Sequence, residues 1–243
     1  MPEQPAAADS TTSPGEATRP VLLSLQVGLP QTFGEEPSAT GAAGDQAAEP
    51  WESGIVKTAV TGEVRFEPLN IAGDGQADLT VHGGIDKAVH AYAACHYPLW
   101  QSELNLPELG PGGFGENLTV GGLDETAVCL GDVWQLGSVL LEVSQPRRPC
   151  WKLARRWNVR LLPKLVVQTG RTGWYLRVKQ PGTAAAGLPL TLVERPHPAW
   201  TITRANQVMH GRGDNPQLLR ELAGVPQLAA SWKKSLQQKI ESD

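Results

Sequence analysis

Short runs of alternating apolar and polar residues fill most of the chain between residues 53 and 194, and a similar run begins at Val21. Alternation with a period of two is typical of strands that bury one face. Gly, Pro, Asp and Asn separate the runs and mark turns. Many short strands at this spacing predict a barrel or a sandwich. The predicted strands are VLLSLQVG at 21–28, SGIVKTAV at 53–60, GEVRFEPL at 62–69, AVHAYA at 88–93, DVWQLG at 132–137, SVLLEVSQ at 138–145, WYLRVK at 174–179 and LPLTLV at 188–193.

Two of these strands are predicted to form a hairpin. VWQLG and SVLLEV meet at Gly137-Ser138, and a glycine-first pair is a common two-residue connection between antiparallel strands. Short helices are predicted between other strands, in HYPLWQSEL at 96–104 and in CWKLARRW at 150–157. This part of the chain is therefore predicted to be mainly β, with short helices.

The pattern changes to that of helices after residue 197. Thr203 is a candidate N-cap for a helix that runs to His210. Asn215 followed by Pro216 predicts a second helix, because Asn caps helix starts and Pro is tolerated at the first helical position. A third helix is predicted from apolar residues at every fourth position, namely Leu228, Trp232, Leu236 and Ile240.

These patterns divide the chain into three predicted parts. Residues 1–19 are rich in Ala, Ser, Thr, Pro and Glu, and are predicted to be a disordered tail because they carry too little apolar surface to offset their ordering entropy. Residues 20–197 are predicted to be the β domain, with a flexible loop of similar composition at 31–50. Residues 198–243 are predicted to form a small three-helix appendage.

Composition and charge exclude several classes of function. The chain has 243 residues and a net charge of −4, so it lacks the overall positive charge typical of proteins that bind nucleic acid or anionic membranes. We find no apolar stretch of the roughly 20 residues needed to span a bilayer and no signal peptide, and predict a cytoplasmic protein. The three cysteines have no C-x-x-C spacing, which argues against a disulfide framework and a cysteine-rich zinc or iron–sulfur site.

The segment SQPRRPCWKL, residues 144–153, is the strongest candidate for chemistry. It places Cys150 beside Arg147, Arg148 and Lys152 at the predicted end of a strand. Neighbouring cations favour the thiolate, which is the form that attacks electrophiles or binds a soft metal. The alternative interpretation is that Cys150 is a small buried hydrophobic residue, a common situation for a free cysteine.

The segment DGQADLTVHGGIDKAVHAY, residues 74–92, places His82 directly before Gly83-Gly84. Paired glycines let the backbone approach a ligand closely, and their N–H groups can bind an anion. The alternative is a tight turn with one hydrogen-bonded histidine. The four-residue spacing of His82, Asp86 and His90 resembles that of helical metal ligands, but the glycines interrupt a helix, so a zinc site is poorly supported.

Two further segments carry polar groups that suit an anionic or polar ligand. In GGFGENLTVGGL, residues 112–123, Asn117 precedes a strand, where its amide could contact a ligand or only stabilise its own turn. Lys57 and Thr58 offer an ammonium and a hydroxyl to a phosphate, and Arg147 offers a guanidinium. On an ordinary surface, the same Lys-Thr pair would be solvated.

The order of these segments resembles that of the MOSC domain, which is named after the C-terminal part of molybdenum-cofactor sulfurase. The resemblance covers residues 21–241, and its specific segments are VHGG, FGENL and SQPRxPC. Within the superfamily the chain is most similar to the bacterial N-hydroxylaminopurine-resistance branch, which also has a C-terminal three-helix extension. The resemblance implies a MOSC-type β-barrel that binds the molybdenum cofactor, a pterin phosphate holding the metal through a dithiolene.

The resemblance also implies roles for particular residues. It assigns Cys150 as the catalytic residue and the protein's molybdenum ligand. It places Lys57 and Thr58 near the cofactor phosphate, and gives Ser144, Arg147 and Asn117 contacts to the pterin or phosphate. His82, Gly83 and Gly84 are implied to shape the pocket rather than to bind metal. Cys95 and Cys129 have no assigned role and are predicted to lie in the core.

The activity that the resemblance implies is reduction of N-hydroxylated compounds, such as hydroxylamino-purines and amidoximes. Electrons would come from a separate flavin or iron–sulfur reductase, because we find neither a ferredoxin-type cysteine cluster nor a Rossmann glycine fingerprint in this sequence. A non-catalytic cofactor carrier or sulfur-handling protein that uses Cys150 is the main alternative. A β-barrel that binds no cofactor and serves as an interaction module is the third interpretation.

Overall fold

The computed structural model describes residues 19–34, 50–80, 82–211 and 215–242. The predicted tail, apart from residue 19, and most of the predicted loop at 31–50 lie outside the described residues. None of the helices in the described ranges is long and apolar enough to cross a membrane.

The described residues are mainly β, as predicted. Their strands are β1 (Val21–Val27), β2 (Gln31–Phe33), β3 (Trp51–Ser53), β4 (Thr58–Ala59), β5 (Val64–Phe66), β6 (Val89–Ala93), β7 (Leu118–Gly121), β8 (Val133–Leu136), β9 (Val139–Pro146), β10 (Trp174–Gln180), β11 (Gly182–Ala184) and β12 (Leu190–Glu194). Their α-helices are α1 (Tyr97–Leu104), α2 (Trp151–Trp157), α3 (Leu162–Thr169), α4 (Ile202–His210), α5 (Pro216–Ala223) and α6 (Ala230–Ser242). Two short 3-10 helices lie at Ile85–Lys87 and Ala94–His96.

Eight of the strands form one curled sheet in the order β12-β8-β9-β10-β6-β7-β1-β4. Neighbours are antiparallel except for β6 and β7, which are parallel. The sheet curls so that the start of β12 lies against the start of β1, where the Leu22 N–H donates to the Leu188 carbonyl (2.9 Å) and the Leu190 N–H donates to the Pro20 carbonyl (2.9 Å). The predicted hairpin is confirmed, because Leu136 pairs with Val139 across the Gly137-Ser138 turn.

Two predicted strands are much shorter in the structure. The segment predicted at 53–60 is interrupted at Gly54, where an added Cβ would lie 2.2 Å from the Gly75 carbonyl oxygen. The chain passes too close to a neighbouring loop to carry a side chain at this position, and β3 ends at Ser53. The segment predicted at 62–69 ends at Phe66, because the Glu67 N–H donates to the Asn70 carbonyl (2.9 Å) and turns the chain. Helix α3, strands β2 and β11 and most of β3 were not predicted, and β2 lies within the stretch at 31–50 that was predicted to be a loop.

The three C-terminal helices are present, but one predicted cap was wrong. The hydroxyl of Thr201, not Thr203, caps α4 by accepting a hydrogen bond from the Arg204 N–H (3.1 Å). Asn215 caps α5 as predicted, because its side-chain oxygen accepts from the N–H groups of Gln217 (3.0 Å) and Leu218 (3.3 Å).

The C-terminal helices share one apolar core with the sheet. Ile202, Leu219 and Trp232 belong to the same buried cluster as Val143 of β9. Backbone contacts reinforce this packing, since the Ala229 N–H donates to the Ser144 carbonyl (3.0 Å). The helices are thus fixed against β9, the strand that leads to Cys150.

Candidate functional site

A cleft that is partly open to solvent, with about 640 Å³ of empty space, lies beyond the end of β9. Five of the predicted site residues line this cleft, although they come from four separate parts of the chain. They are Lys57, His82, Asn117, Arg147 and Cys150.

Cys150 lies at the junction between β9 and α2. The Arg147 N–H donates to the Gly173 carbonyl (3.1 Å), so the chain remains paired just beyond β9. The Cys150 carbonyl accepts from the Leu153 N–H (3.1 Å) and starts the first turn of α2. Cys150 is partly exposed in the cleft. This position does not fit the alternative of a fully buried hydrophobic residue.

The surroundings of Cys150 favour its thiolate. Burial opposes ionisation, but a hydrogen bond from His82, the charges of Arg147 and His82, and a hydrogen bond from the Lys152 backbone outweigh it and lower the pKa of Cys150 to about 7. At neutral pH, Cys150 therefore has a larger fraction of thiolate than an ordinary cysteine. The sequence predicted the contribution of the neighbouring arginine, but not that of His82.

The His82 contact leads to a prediction about the pH dependence of alkylation. In the native protein, the rate of iodoacetamide reaction at Cys150 is expected to rise with a midpoint near pH 7. His82→Asn is expected to move this midpoint upward and to slow the reaction at pH 7 about tenfold, because thiolate is the reacting species. Peptide-resolved mass spectrometry measures the rate at each cysteine. An unchanged midpoint in His82→Asn would contradict this assignment.

Cys95 supplies an internal control for that measurement. The prediction that it lies in the core was wrong, because its side chain is exposed, whereas Cys129 is buried as predicted. Although the side chain is exposed, partial burial of its sulfur raises the pKa of Cys95, and the negative charges of Asp124 and Glu125 raise it further. Its alkylation is therefore expected to need a higher pH than that of Cys150.

Arg147 is a buried cation in the wall of the cleft, with only 5% of its surface exposed. Its Nη2 donates to the Phe114 carbonyl (3.1 Å). Its Nη1 is buried and has no hydrogen-bond partner in the part of the chain that the structure describes. A buried guanidinium with an unused donor is costly unless a ligand supplies the missing acceptor.

The charge of the cleft is strongly positive. Lys87, Arg148 and Lys152 line it together with Arg147, and Asp74 is the only carboxylate among its described lining residues. That carboxylate is already used, because Asp74 forms a buried ion pair with Lys57 and accepts from the Gly28 N–H (2.9 Å).

The Lys57–Asp74 pair changes the role expected for Lys57. The sequence predicted that this lysine binds a phosphate, but the structure pairs its ammonium with a carboxylate that the prediction did not include. Burial lowers the pKa of Lys57, although the charge of Asp74 and its hydrogen bond oppose this effect. The remaining positive charge of the cleft comes from residues around Cys150.

Asn117 lines the cleft but uses its amide within the protein. Its Oδ1 accepts from the His90 N–H (3.1 Å), and its Nδ2 donates to the Gln26 carbonyl (3.2 Å). It thereby links β6 to β1. The neighbouring loop is held by Glu116, which accepts from the N–H groups of Gly112 (2.6 Å) and Phe114 (3.0 Å).

Four predicted site residues lie outside the lining of the cleft. Thr58 is exposed on β4. Gly83 and Gly84 precede the 3-10 helix at Ile85–Lys87. Gly84 has a φ of 90°, a backbone conformation that glycine adopts more readily than other residues. The Ser144 hydroxyl is buried and donates to the Asp86 carbonyl (2.6 Å). Their contacts with a cofactor remain predictions.

The sequence did not identify several residues of this cleft. Asp74 lies in a quoted motif, between two glycines, but nothing local marks it as the partner of Lys57. Tyr175 comes close to Cys150 only because β10 pairs with β9, where Tyr175 lies opposite Gln145. Burial raises the pKa of Tyr175. His90 was considered only as a metal ligand, and its ring lies 5.1 Å from the Tyr175 ring.

Two family models match the chain. One, described as the MOSC domain, matches residues 78–191, and the other, described as a YiiM-like, 3-alpha helix domain, matches residues 200–243. The resemblance seen in the sequence and the C-terminal helices are thereby confirmed.

Known proteins match over most of the chain. YflK of Bacillus subtilis (strain 168) is 39% identical over 90% of this chain and 93% of its own length. YiiM of Escherichia coli (strain K12) is 37% identical over 77% of this chain and 84% of its own length. A Gibberella moniliformis protein named "Reductase" is 39% identical over 72% of this chain. The matched region is only 31% of the length of that relative.

A solved structure agrees with the fold. The crystal structure of YiiM from Geobacillus stearothermophilus superposes with a TM-score of 0.73 at 34% identity, covering 91% of this chain and 99% of that one.

Proposed function

This chain belongs to the MOSC-domain family, and we propose that it binds the molybdenum cofactor in the cleft beside Cys150 and reduces N-hydroxylated compounds. The proposed substrates are hydroxylamino-purines and related base analogues, and the proposed role is their detoxification. The observation that carries this proposal is the position of a cysteine with a pKa of about 7 next to the buried Arg147 in a cationic cleft.

The residues of the cleft suit this cofactor in two ways. Its phosphate is an anion, and the buried Arg147 Nη1 has no hydrogen-bond partner among the described residues, while Arg148, Lys87 and Lys152 line the same cleft. Its molybdenum is a metal that thiolates bind well, and the Cys150 sulfur is substantially ionised at neutral pH. We therefore assign Cys150 to the metal and Arg147 to an anionic group of the cofactor.

The reaction consumes two electrons and two protons for each substrate molecule. The N–O bond breaks, the nitrogen keeps its hydrogen and gains a second one to become an amine, and the oxygen leaves as water. The bound cofactor would supply the two-electron chemistry. The protein would position the substrate and supply protons. Burial and the charge of Arg148 lower the pKa of Lys87, which makes its ammonium a better proton donor in this cleft.

A separate flavin or iron–sulfur reductase is proposed as the electron donor. The support comes from a relative, since the protein named "Reductase" contains a region similar to this chain within a much longer polypeptide. Such a polypeptide has room for a linked reductase domain, and we propose a flavin or iron–sulfur protein in that role for this chain.

Turnover of hydroxylaminopurine tests the proposal. Protein purified from a host that makes the cofactor, supplied with reduced methyl viologen, is expected to convert hydroxylaminopurine to adenine. The same protein from a host that cannot make the cofactor is expected to form none, and chromatography measures both reactions. Equal adenine formation from the two preparations, or none from either, would refute the proposal.

A further inference from the structure

The positive charge of this chain is concentrated in one segment. Ten of its 21 Lys and Arg residues lie between residues 143 and 193, whereas none of its 25 Asp and Glu residues does. The chain as a whole has a net charge of −4, so this segment has the opposite sign to the rest of the protein.

Part of this segment, helices α2 and α3 and the turn between them, carries both basic and apolar exposed side chains. Arg155 on α2, Arg160 between the helices and Lys164 on α3 are exposed. The large apolar residues Trp151 and Leu161 are 53% and 59% exposed. These five residues are called the α2–α3 surface below. Tryptophan and arginine are enriched where proteins bind other proteins.

The α2–α3 surface is held by a rigid base. Leu153, Leu162 and Val166 are buried in the core beneath it. The Trp157 Nε1 donates to the Gly113 carbonyl (2.7 Å), which fixes the end of α2. On the outer side, the Arg155 guanidinium lies 5.1 Å from the centre of the Trp151 ring. A partner would therefore meet a preorganised surface and would order few side chains on binding.

This surface begins at the edge of the cleft. Trp151 directly follows Cys150, and Lys152, the next residue, lines the cleft. Arg155 is one helical turn farther along α2, about 6 Å in rise from Trp151. A protein bound here would place its redox group near the cleft without blocking the interior, where the smaller substrate binds.

We propose that the α2–α3 surface binds an acidic electron-transfer protein that delivers electrons to the cleft. This inference rests on the proposed function, because a redox partner is needed only if the protein is a reductase. The partner is a flavin or iron–sulfur protein with a carboxylate-rich face around its redox group. Opposite charges would guide its association and make the association sensitive to salt.

The surface suits a protein better than a nucleic acid or a membrane. The three exposed cations on α2, on α3 and between these helices are few for a nucleic acid, whose binding depends on many phosphate contacts. A membrane-bound helix needs a continuous exposed apolar face, whereas the apolar face of α2 and α3 is buried in the core.

Binding of oxidised flavodoxin, a small acidic flavin protein, tests this inference without turnover. The test variant Arg160→Glu/Lys164→Glu reverses two charges on the surface. The control variant Arg220→Glu/Lys234→Glu reverses one arginine and one lysine that are exposed on α5 and α6. The dissociation constant is measured for each protein by calorimetry at low and at physiological salt.

The wild type and the control variant are expected to bind at low salt and to weaken about tenfold at physiological salt. The test variant is expected to bind at least about tenfold more weakly at low salt and to show little dependence on salt. Turnover of the test variant with reduced methyl viologen is expected to match that of the wild type, because this small donor does not need the surface. If the proposed function were wrong, neither protein would turn over hydroxylaminopurine, and this result is distinct from a loss of flavodoxin binding.

Three outcomes would overturn the inference. They are absence of binding to the wild type, equal weakening in the test and control variants, and tighter wild-type binding to duplex DNA or to anionic phosphatidylserine vesicles than to flavodoxin. Tighter binding to DNA would identify a nucleic acid as the partner, and tighter binding to the vesicles would identify a membrane.

Discussion

Replacement of Cys150 with alanine is expected to reduce the rate of hydroxylaminopurine reduction by roughly a thousandfold or more. Alanine has no atom that can bind a metal, and the proposed function gives this sulfur the protein's contact with molybdenum. Serine is expected to restore little activity, because its hydroxyl is a harder and far less acidic ligand than a thiol. The rate is measured as adenine formed with reduced methyl viologen as donor.

The fold should survive this substitution. Cys150 is partly exposed and lies outside the buried apolar clusters of the described residues. The midpoint of urea unfolding is therefore expected to change little. Cys95→Ala is the matched control, because it removes an exposed thiol that lies outside the cleft lining and is expected to keep full activity. A Cys150→Ala protein that retains a tenth or more of the wild-type rate would contradict the role given to this sulfur.

Glu116→Ala is expected to lower the free energy of unfolding by about 3–5 kcal/mol. Glu116 is fully buried and accepts hydrogen bonds from the Gly112 and Phe114 N–H groups and from the hydroxyls of Tyr97 and Thr119. Alanine would leave these buried donors without an acceptor. The loss would also reach the cleft, because Phe114 supplies the carbonyl that holds Arg147.

Urea unfolding measures this effect. Glu116→Gln keeps one acceptor oxygen and is expected to cost roughly 1–2 kcal/mol. Glu108→Ala removes an exposed carboxylate from the same loop region and is expected to change stability by less than about 0.5 kcal/mol. If Glu116→Ala cost as little as Glu108→Ala, the network around Glu116 would not stabilise the loop.

Two of the strands that sequence patterns predicted well, β9 and β10, have neighbours on both sides. Alternation identified β9 and β10 because each has an apolar set facing the core along its length. It overestimated the strand at 53–60, where Gly54 approaches the Gly75 carbonyl of a separate loop, and the strand at 62–69, where a turn from Glu67 to Asn70 redirects the chain. Local alternation contains no information about the contact between Gly54 and Gly75.

The error at Thr203 has a similar origin. Thr201 and Thr203 are chemically equal as caps, so composition cannot choose between them. Thr201 is the cap because it pairs with Cys129 in an isolated β-bridge, which keeps its backbone extended. The helix therefore begins at the next residue, Ile202. Asn215 was predicted correctly because Pro216 fixes the register locally.

The candidate site shows the same division between local and distant information. Cys150 and Arg147 were identified because their chemistry lies within one short motif. The contacts of Cys150 with His82 and of Lys57 with Asp74 join separate segments, and only the fold reveals them. Ser144 lies in the cysteine motif, but its hydroxyl is bound to the Asp86 carbonyl. The Ser144 hydroxyl therefore does not line the cleft, although Ser144 belongs to the same motif as Cys150.

The molybdenum and pterin contents of the wild type and of Cys150→Ala, both purified from a host that makes the cofactor, test the central claim most directly. The account predicts near-stoichiometric molybdenum with pterin in the wild type and a loss of molybdenum in the variant. Pterin that is retained in both proteins, with molybdenum independent of Cys150, would contradict the role of the sulfur. Absence of both molybdenum and pterin from the wild type would contradict the proposed cofactor and, with it, the proposed reductase activity.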